Sequence, residues 1–238
     1  MRDGTVAHVF SGKRNGRGVM VLDFRFDLIW EYAPYFLGGT LLTIGISIVA
    51  IVLGAICGLL VAIGRMSQRW YLRVPMKAYI HFFRGTPLIL QIMIVHFLLV
   101  PIFLGSTNAV AAAIAALALN CAAYSAEIYR AGIQSIDKGQ MEAAMALGMS
   151  HTQAMRHVIL PQAVRRMIPA FGNEFIVLIK DSSLVAFIAV PEIMYWANSM
   201  RGQYYRMWEP YMTAAVIYLI LTYSLSKLLA YVERRLGK

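Results

Sequence analysis

Charged residues are scarce in this chain. Asp, Glu, Lys and Arg make up 14% of its 238 residues, whereas soluble proteins contain about 25%. Three long segments, residues 35–63, 88–126 and 210–226, contain none of these four residue types. Because a helix needs about 20 apolar residues to cross a bilayer, uncharged segments of this length predict membrane spans rather than the apolar core of a soluble enzyme.

Motifs of catalysis and metal binding are also missing. The chain has no G-x-x-x-x-G-K-[ST] phosphate loop, no H-E-x-x-H zinc motif and no G-x-S-x-G nucleophile elbow. His151 and His157 stand six residues apart, and we do not expect them to ligate a metal. The only two cysteines, Cys57 and Cys121, lie in apolar segments and are expected to be small buried residues rather than a disulfide. We therefore expect neither catalysis nor a cofactor in this chain.

The net charge of +10 fits a membrane protein better than a nucleic-acid-binding one, because Lys and Arg cluster beside the apolar segments. We predict an all-α membrane protein whose transmembrane domain covers residues 35–230, followed by a tail at 231–238. Residues 1–34 form an N-terminal tail. Its first 20 residues are expected to be disordered, and no cleavable signal peptide is expected in the first 27. Five spans are predicted, at about 35–63, 80–104, 109–127, 165–190 and 210–230.

Residues 24–36 leave two interpretations open. Their aromatic and apolar residues fall close to helical spacing, which favours a short helix lying in the membrane interface. The alternative is a frayed start to the first span.

Lys and Arg also predict the orientation. They are concentrated between spans 1 and 2, between spans 3 and 4, and in the C-terminal tail, whereas the links at 105–108 and 191–209 carry only Arg201 and Arg206. The basic links are expected in the cytoplasm, together with the C-terminus. The N-terminal tail conflicts with this orientation, since it places five basic residues on the predicted outside.

A polar stretch at residues 142–161 interrupts the apolar segments. It opens with the helix-forming run MEAAMALG and closes on Leu160-Pro161. Gly148 follows Glu142 by six residues, where a helix can end on a left-handed residue. The stretch is predicted to form two short helical pieces joined by a glycine turn. It resembles the EAA motif of bacterial ABC importer permeases, EAA-x3-G-x9-I-x-LP, and departs from it only at Val158, where isoleucine is usual.

Three further blocks extend the resemblance to about residues 28–235. They are FRGTP at 83–87, AEIYRAGIQSIDKGQ at 126–140 and NEFIVLIKDSSL at 173–184. Together they identify the chain as similar to the polar amino acid uptake family of ABC permeases. The resemblance implies a type I importer fold, with a cytoplasmic coupling loop at about 128–164 between spans 3 and 4.

The fourth predicted span is the most polar. Glu174 and Asp181 are seven residues apart and share one helix face, which suits the ammonium group of a zwitterionic solute. Asn173 and Ser182 are expected to join them on the solute path, although Ser182 can instead bond to its own helix. An internal Glu–Lys pair that fastens helices is the alternative. Lys180 lies off that face, and we favour a structural role for it.

Two other residues are assigned to the solute path. Thr86, in FRGTP, offers a hydroxyl, and the family it resembles uses residues near this position beside its path. Asn120 needs a partner at mid-depth, either a neighbouring helix or the solute. Arg84 is expected to anchor the inner surface, although it could meet a carboxylate, and Glu127 is expected to pair with Arg130.

The polar stretch at residues 142–161 is expected to dock on a protein. The predicted docking residues are Glu142, Ala143, Ala144, Leu147 and Gly148. An amphipathic loop resting on lipid headgroups is the alternative. By resemblance, the stretch at 142–161 fits into a cleft of a cytoplasmic ATPase subunit. That subunit binds the ATP and moves the stretch as a lever.

The sequence therefore predicts a multi-pass permease subunit of the bacterial inner membrane, which imports a polar amino acid. Its expected partners are ATPase subunits, a solute-binding protein, lipid, and a second permease subunit in a homo- or heterodimer. Nucleic acid is not expected. Tyr204, Tyr205 and Trp208 could contact the binding protein or form an aromatic interface belt. A permease for another small polar solute, an intramembrane enzyme using Glu174 and Asp181, and a passive channel are the alternatives.

Overall fold

The computed structural model describes residues 24–236, and the side chain of Leu236 is excluded from the description. Within this range the chain forms ten α-helices and no strand. The predicted disorder of the first 20 residues and the basic residues before Arg25 lie outside the described residues. The helices are α1 (Phe26–Met66), α2 (Trp70–Gly85), α3 (Leu88–Ile94), α4 (Val100–Leu104), α5 (Ala109–Gln134), α6 (Lys138–Ala146), α7 (His151–Ala154), α8 (Leu160–Asp181), α9 (Ile193–Tyr204) and α10 (Trp208–Leu236).

The first helix is continuous from Phe26, so residues 26–36 belong to α1 and do not form a separate interfacial helix. Leu28, Tyr32 and Phe36, spaced four apart, are buried against α9 and α10. Beside them the Tyr204 hydroxyl donates a hydrogen bond of 2.6 Å to Glu31, which raises the pKa of Tyr204 to about 12. The start of α1 is therefore packed against protein.

The centre of the bundle is the contact between α1 and α5. A Cβ added at Gly54 would lie 2.7 Å from the Cβ of Cys121, and one added at Gly58 would lie 2.5 Å from the Cβ of Ser125. The two glycines, one turn apart, thus let the backbones approach closely, as small residues do between membrane helices. Small side chains on α5 complete the contact: Ala112, Ala113, Ala116, Ala122, Ala123 and Ala126 are all buried. The alanine-rich α5 is therefore closely packed against α1.

Prolines shape two of the helices in the same way. A π-helical turn, Val95–Leu99, precedes Pro101, and another, Met155–Ile159, precedes Pro161. Proline has no N–H and its ring clashes with the carbonyl four residues earlier. A π turn is a common way for a helix to absorb such a disruption. Both helices therefore continue through a proline without ending.

The helix count remains a prediction. Among the described residues, α1, α5 and α10 are long and apolar enough to cross a membrane, and α2 with α3–α4 would make a fourth if that pair is one span. This pair is bent by 112°, because Thr86 and Pro87 interrupt the helix near the start of the predicted span at 80–104. Residues 165–190 consist of most of α8 and a 3-10 helix, Ser182–Ile188.

Candidate functional site

Helix α8 carries two carboxylates. Glu174 and Asp181 are both half-buried, and neither makes a hydrogen bond or ion pair with any other side chain in residues 24–236. Glu174 interacts electrostatically with Asp181 and Arg84, and Asp181 interacts in the same way with Lys180. A charge placed among membrane helices costs several kcal/mol unless it has a partner or a wet cavity. These two carboxylates are therefore available to a cation that enters the bundle.

Asn173 and Ser182, also assigned to the solute path, differ in their exposure. Asn173 is exposed on α8. Ser182 is 1% exposed, and its hydroxyl donates to the carbonyl of Ile179 at 2.7 Å. Ser182 begins the 3-10 helix and bonds back to the last turn of α8, which is the local alternative expected for it, and its place on the solute path stays a prediction.

A second group of polar residues surrounds the break between α2 and α3. The break leaves the last carbonyls of α2 without helical partners, and side chains supply them. The Thr86 hydroxyl donates to the Phe82 carbonyl at 2.8 Å, and Nε2 of Gln91 donates to the Phe83 carbonyl at 2.9 Å. Thr86 is extended, as expected before a proline. The polar side chains therefore stabilise the bend.

Asn120 of α5 completes this network. Its Nδ2 donates to Oε1 of Gln91 at 2.8 Å and to the Phe83 carbonyl at 3.2 Å, and Gln91 also donates to the Thr86 hydroxyl at 2.9 Å. Asn120 is 8% exposed and Gln91 is 2% exposed. Of the two partners expected for Asn120, the structure shows the neighbouring helix. The Asn120 Nδ2 and the Thr86 hydroxyl are therefore bonded within the protein, and the assignment of the two residues to the solute path stays a prediction.

An ion-pair cluster joins three helices at Glu127 of α5. Arg65 of α1 and Arg130 of α5 pair with Glu127, the latter at 2.9 Å, and Arg84 of α2 lies at 3.9 Å from it. The guanidinium of Arg84 also lies 5.2 Å from the centre of the Tyr124 ring. The predicted pair of Glu127 and Arg130 is confirmed. Arg84 meets a carboxylate, which was the less favoured interpretation.

The coupling segment, which we define as residues 138–159, has the predicted shape. Helix α6 ends at Ala146, Gly148 takes a left-handed φ of +85°, and Ser150 caps α7 in a capping box with Gln153. Glu142, Ala143, Leu147 and Gly148 are exposed, and Leu147 reaches 86% exposure. Ala144 is 4% exposed. Its side chain is therefore covered by other described residues, and its assignment as a docking contact stays a prediction.

Two buried polar residues were missed by the sequence analysis as functional or structural centres. Gln91 organises the helix break, and the available signal was a lone amide in an otherwise apolar segment. Glu192 is fully buried, caps α9 through the Tyr195 N–H at 2.8 Å, and accepts a hydrogen bond of 2.6 Å from the Tyr218 hydroxyl. The distance in sequence between Glu192 and Tyr218 gave no signal of this contact.

The described groups offer two kinds of contact. In the part of the chain that the structure describes, no group of three or more His, Cys, Asp or Glu side chains is placed to hold a metal ion. The open carboxylates on α8 can bind a cationic group, and the exposed end of the coupling segment can contact a protein.

The comparisons with known proteins agree with this architecture. Residues 50–238 match the family described as binding-protein-dependent transport system inner membrane component. The octopine transport system permease protein OccM of Rhizobium meliloti is 38% identical over 216 residues, which cover 86% of this chain and 87% of OccM. The glutamine transport system permease protein GlnP of Escherichia coli K12 is 36% identical over 216 residues, covering 90% and 99% respectively.

A solved structure extends the similarity to the fold. The crystal structure of an amino acid ABC transporter with histidines superposes with a TM-score of 0.84 at 40% identity, covering 90% of this chain and all of that one. The predicted all-helical fold class is therefore confirmed. This chain belongs to the family of binding-protein-dependent transport system inner membrane components, and is a multi-pass membrane subunit of such a system.

Proposed function

We propose that this chain is the permease subunit of an ATP-driven importer, and that it carries a polar amino acid past Glu174 and Asp181. The observation that carries the proposal is the pair of half-buried carboxylates on α8 without a hydrogen-bonding partner among the described residues. The family match and the names of OccM and GlnP, which are permeases for octopine and glutamine, support the class of solute.

The charges around the carboxylates fit a zwitterion. The ammonium group of an amino acid would lie against Glu174 and Asp181. The side chain of Arg84 is 43% exposed and interacts electrostatically with Glu174. It would donate hydrogen bonds to the solute's carboxylate, a group that arginine binds in bidentate geometry. Asn173, exposed on the same helix, would contact the polar side chain of the solute.

The energy would come from a partner. An ATPase subunit would bind the ATP and dock on Glu142, Ala143, Leu147 and Gly148, so that its movement pushes the coupling segment and shifts the helices. Leu147 supports this proposal, because its side chain is 86% exposed at the turn and burial of a leucine side chain against a partner would contribute about 1.5–3 kcal/mol. A second permease subunit would complete the path. The protein would lie in the bacterial inner membrane, with the coupling segment and the C-terminus facing the cytoplasm.

A solute-binding protein would dock on the opposite side. Tyr205 and Trp208 are 82% and 52% exposed between α9 and α10, and such aromatic side chains are enriched at protein contacts. Tyr204, the third aromatic residue in this region, is already bonded to Glu31.

Reconstitution tests the function. The chain is placed in proteoliposomes with its ATPase and solute-binding protein, and the uptake of labelled arginine, histidine, glutamine and glutamate is measured. We expect uptake of at least one amino acid that requires both ATP and the binding protein. Equal uptake without ATP would indicate a channel, and chemical conversion of the solute by the isolated chain would indicate an enzyme.

Docking is tested at Leu147, which lies outside the left-handed region, so a substitution there does not strain the backbone. Leu147→Asp should abolish co-purification of the ATPase and ATP-driven uptake. Leu147→Met, which keeps an apolar side chain at the same site, should retain both. Normal co-purification of the Leu147→Asp variant would remove this residue from the interface.

A further inference from the structure

An apolar groove lies between the end of α1 and the beginning of α2. It has a volume of about 470 Å³, and its walls include Cys57, Leu60 and Val61 of α1, Leu72 and Met76 of α2, and Leu119 of α5. This volume is within the range of ligand pockets, about 300–1,000 Å³. An apolar groove of this size on a membrane protein does not hold ordered water, because water needs polar partners.

The groove exists because only half of α2 packs against the bundle. Ile80 is buried against Ala62 of α1 and against α5, and the Tyr79 hydroxyl donates to the Leu119 carbonyl at 2.6 Å. The first half of α2 is exposed, with Trp70 at 70% and Tyr71 at 52%. The first half of α2 therefore leaves the groove open to the surroundings.

A row of basic side chains lies beside the groove. Arg69, Arg73 and Lys77 are four residues apart and so line one side of α2, next to the row that contains Leu72 and Met76. All three are exposed, and their side chains form no hydrogen bond or ion pair with another residue between 24 and 236. They lie next to Trp70 and Tyr71, aromatic residues of the type enriched at the headgroup level of a membrane.

We propose that this groove binds one acyl chain of an anionic phospholipid, whose phosphate contacts Arg69, Arg73 and Lys77. The apolar walls suit a hydrocarbon chain, and the three exposed basic side chains without a protein partner offer a favourable site for a negative charge. An anionic lipid supplies both from one molecule, at the depth that the neighbouring Trp70 and Tyr71 indicate. The apolar face of a second copy of the chain would cover the groove but would leave the basic row unpaired.

The headgroup contacts are tested by lipid titration of the delipidated full chain in detergent, monitored by native mass spectrometry. We expect phosphatidylglycerol to bind more tightly than phosphatidylcholine. Since each basic residue near an anionic lipid contributes roughly 1 kcal/mol, the double variant Arg73→Gln, Lys77→Gln should bind phosphatidylglycerol about thirtyfold more weakly. The matched control, Arg234→Gln with Arg235→Gln on α10, should change affinity less than twofold.

The acyl-chain contact is tested by filling the groove. Cys57→Phe places a ring in it, whereas Ile56→Phe places the same ring on the neighbouring exposed position outside it. Only Cys57→Phe should weaken phosphatidylglycerol binding, by about tenfold or more, and gel filtration would verify that both variants remain folded. In the wild type, bound phosphatidylglycerol should slow alkylation of Cys57, while glycerol phosphate, which has no acyl chain, should not.

Several outcomes would overturn the proposal. These are equal affinity for the two lipids, equal loss in the α10 control, unchanged binding by Cys57→Phe, and protection of Cys57 by glycerol phosphate alone. Protection of Cys57 that depends on protein concentration and not on lipid would assign the groove to a second copy of the chain.

Discussion

Two sets of polar side chains lie among the membrane helices, and they differ in how their hydrogen-bonding groups are used. At the break between α2 and α3, Thr86, Gln91 and Asn120 bond to each other and to the free carbonyls of α2. On α8, Glu174 and Asp181 make no such bonds with other described residues. We call the first set closed, because its members bond to each other, and the second set open, because its carboxylates make no such bonds.

The difference separates residues that hold the fold from residues that can bind a solute. An unpaired polar group that is buried costs about 1–3 kcal/mol, and more when it is charged. The closed set avoids this cost and makes a 112° bend stable. The open set is retained in spite of the cost, as expected of charged residues that face a path through a membrane. Polarity within a span therefore does not by itself identify a solute contact.

The largest effect is expected when the open set is neutralised. The double variant Glu174→Gln, Asp181→Asn removes two charged contacts, each contributing about 1.5–3 kcal/mol, so ATP-driven uptake should fall by about a hundredfold or more. The melting temperature should stay the same or rise, because no internal bond is lost. Uptake within twofold of the wild type would place both residues outside the path.

Asn120→Leu breaks the closed set and should lower stability. It leaves Oε1 of Gln91 without its donor in the protein interior, which should reduce the free energy of unfolding by about 1–3 kcal/mol. Thermal unfolding in detergent measures the loss, and uptake per folded molecule should remain within twofold. As a matched control, the same substitution at the exposed Asn173 should leave stability unchanged. A large change in solute affinity with normal stability would move Asn120 into the open set.

A smaller effect is expected at Thr86. Thr86→Val keeps the shape of the side chain but removes the hydroxyl that bonds the Phe82 carbonyl and Gln91, at a cost of about 1 kcal/mol. Thr86→Ser keeps the hydroxyl and should unfold closer to the wild-type temperature. If serine and valine destabilise equally, the hydroxyl is not what supports the bend.

The smallest effect is expected at Ser182. Its hydroxyl bonds the Ile179 carbonyl within the same chain segment, so Ser182→Ala should reduce stability by about 0.5 kcal/mol and leave the solute concentration for half-maximal uptake unchanged. A tenfold rise in that concentration would show that Ser182 contacts the solute and that the division between the two sets is drawn in the wrong place.

The features that the sequence predicted well are local. The left-handed Gly148 and the two helical pieces around it depend on the conformations open to one or two residues.

Other features were not accessible in this way. Asn120 and Gln91 are 29 residues apart, and Glu192 and Tyr218 are 26 apart, so nothing in the local pattern pairs them. The same limit applies to the burial of Ala144 and Ser182. Helical spacing shows which residues share a face, but it does not show whether that face is covered.

By itself, the sequence determined that this protein is a helical membrane protein with a coupling segment, because hydropathy, proline and glycine act on the chain locally. Only the tertiary structure decided which polar side chains are bonded and which remain open. That distinction depends on the packing of α2, α3, α5 and α8, because a hydrogen bond between distant residues exists only when packing brings donor and acceptor within about 3 Å.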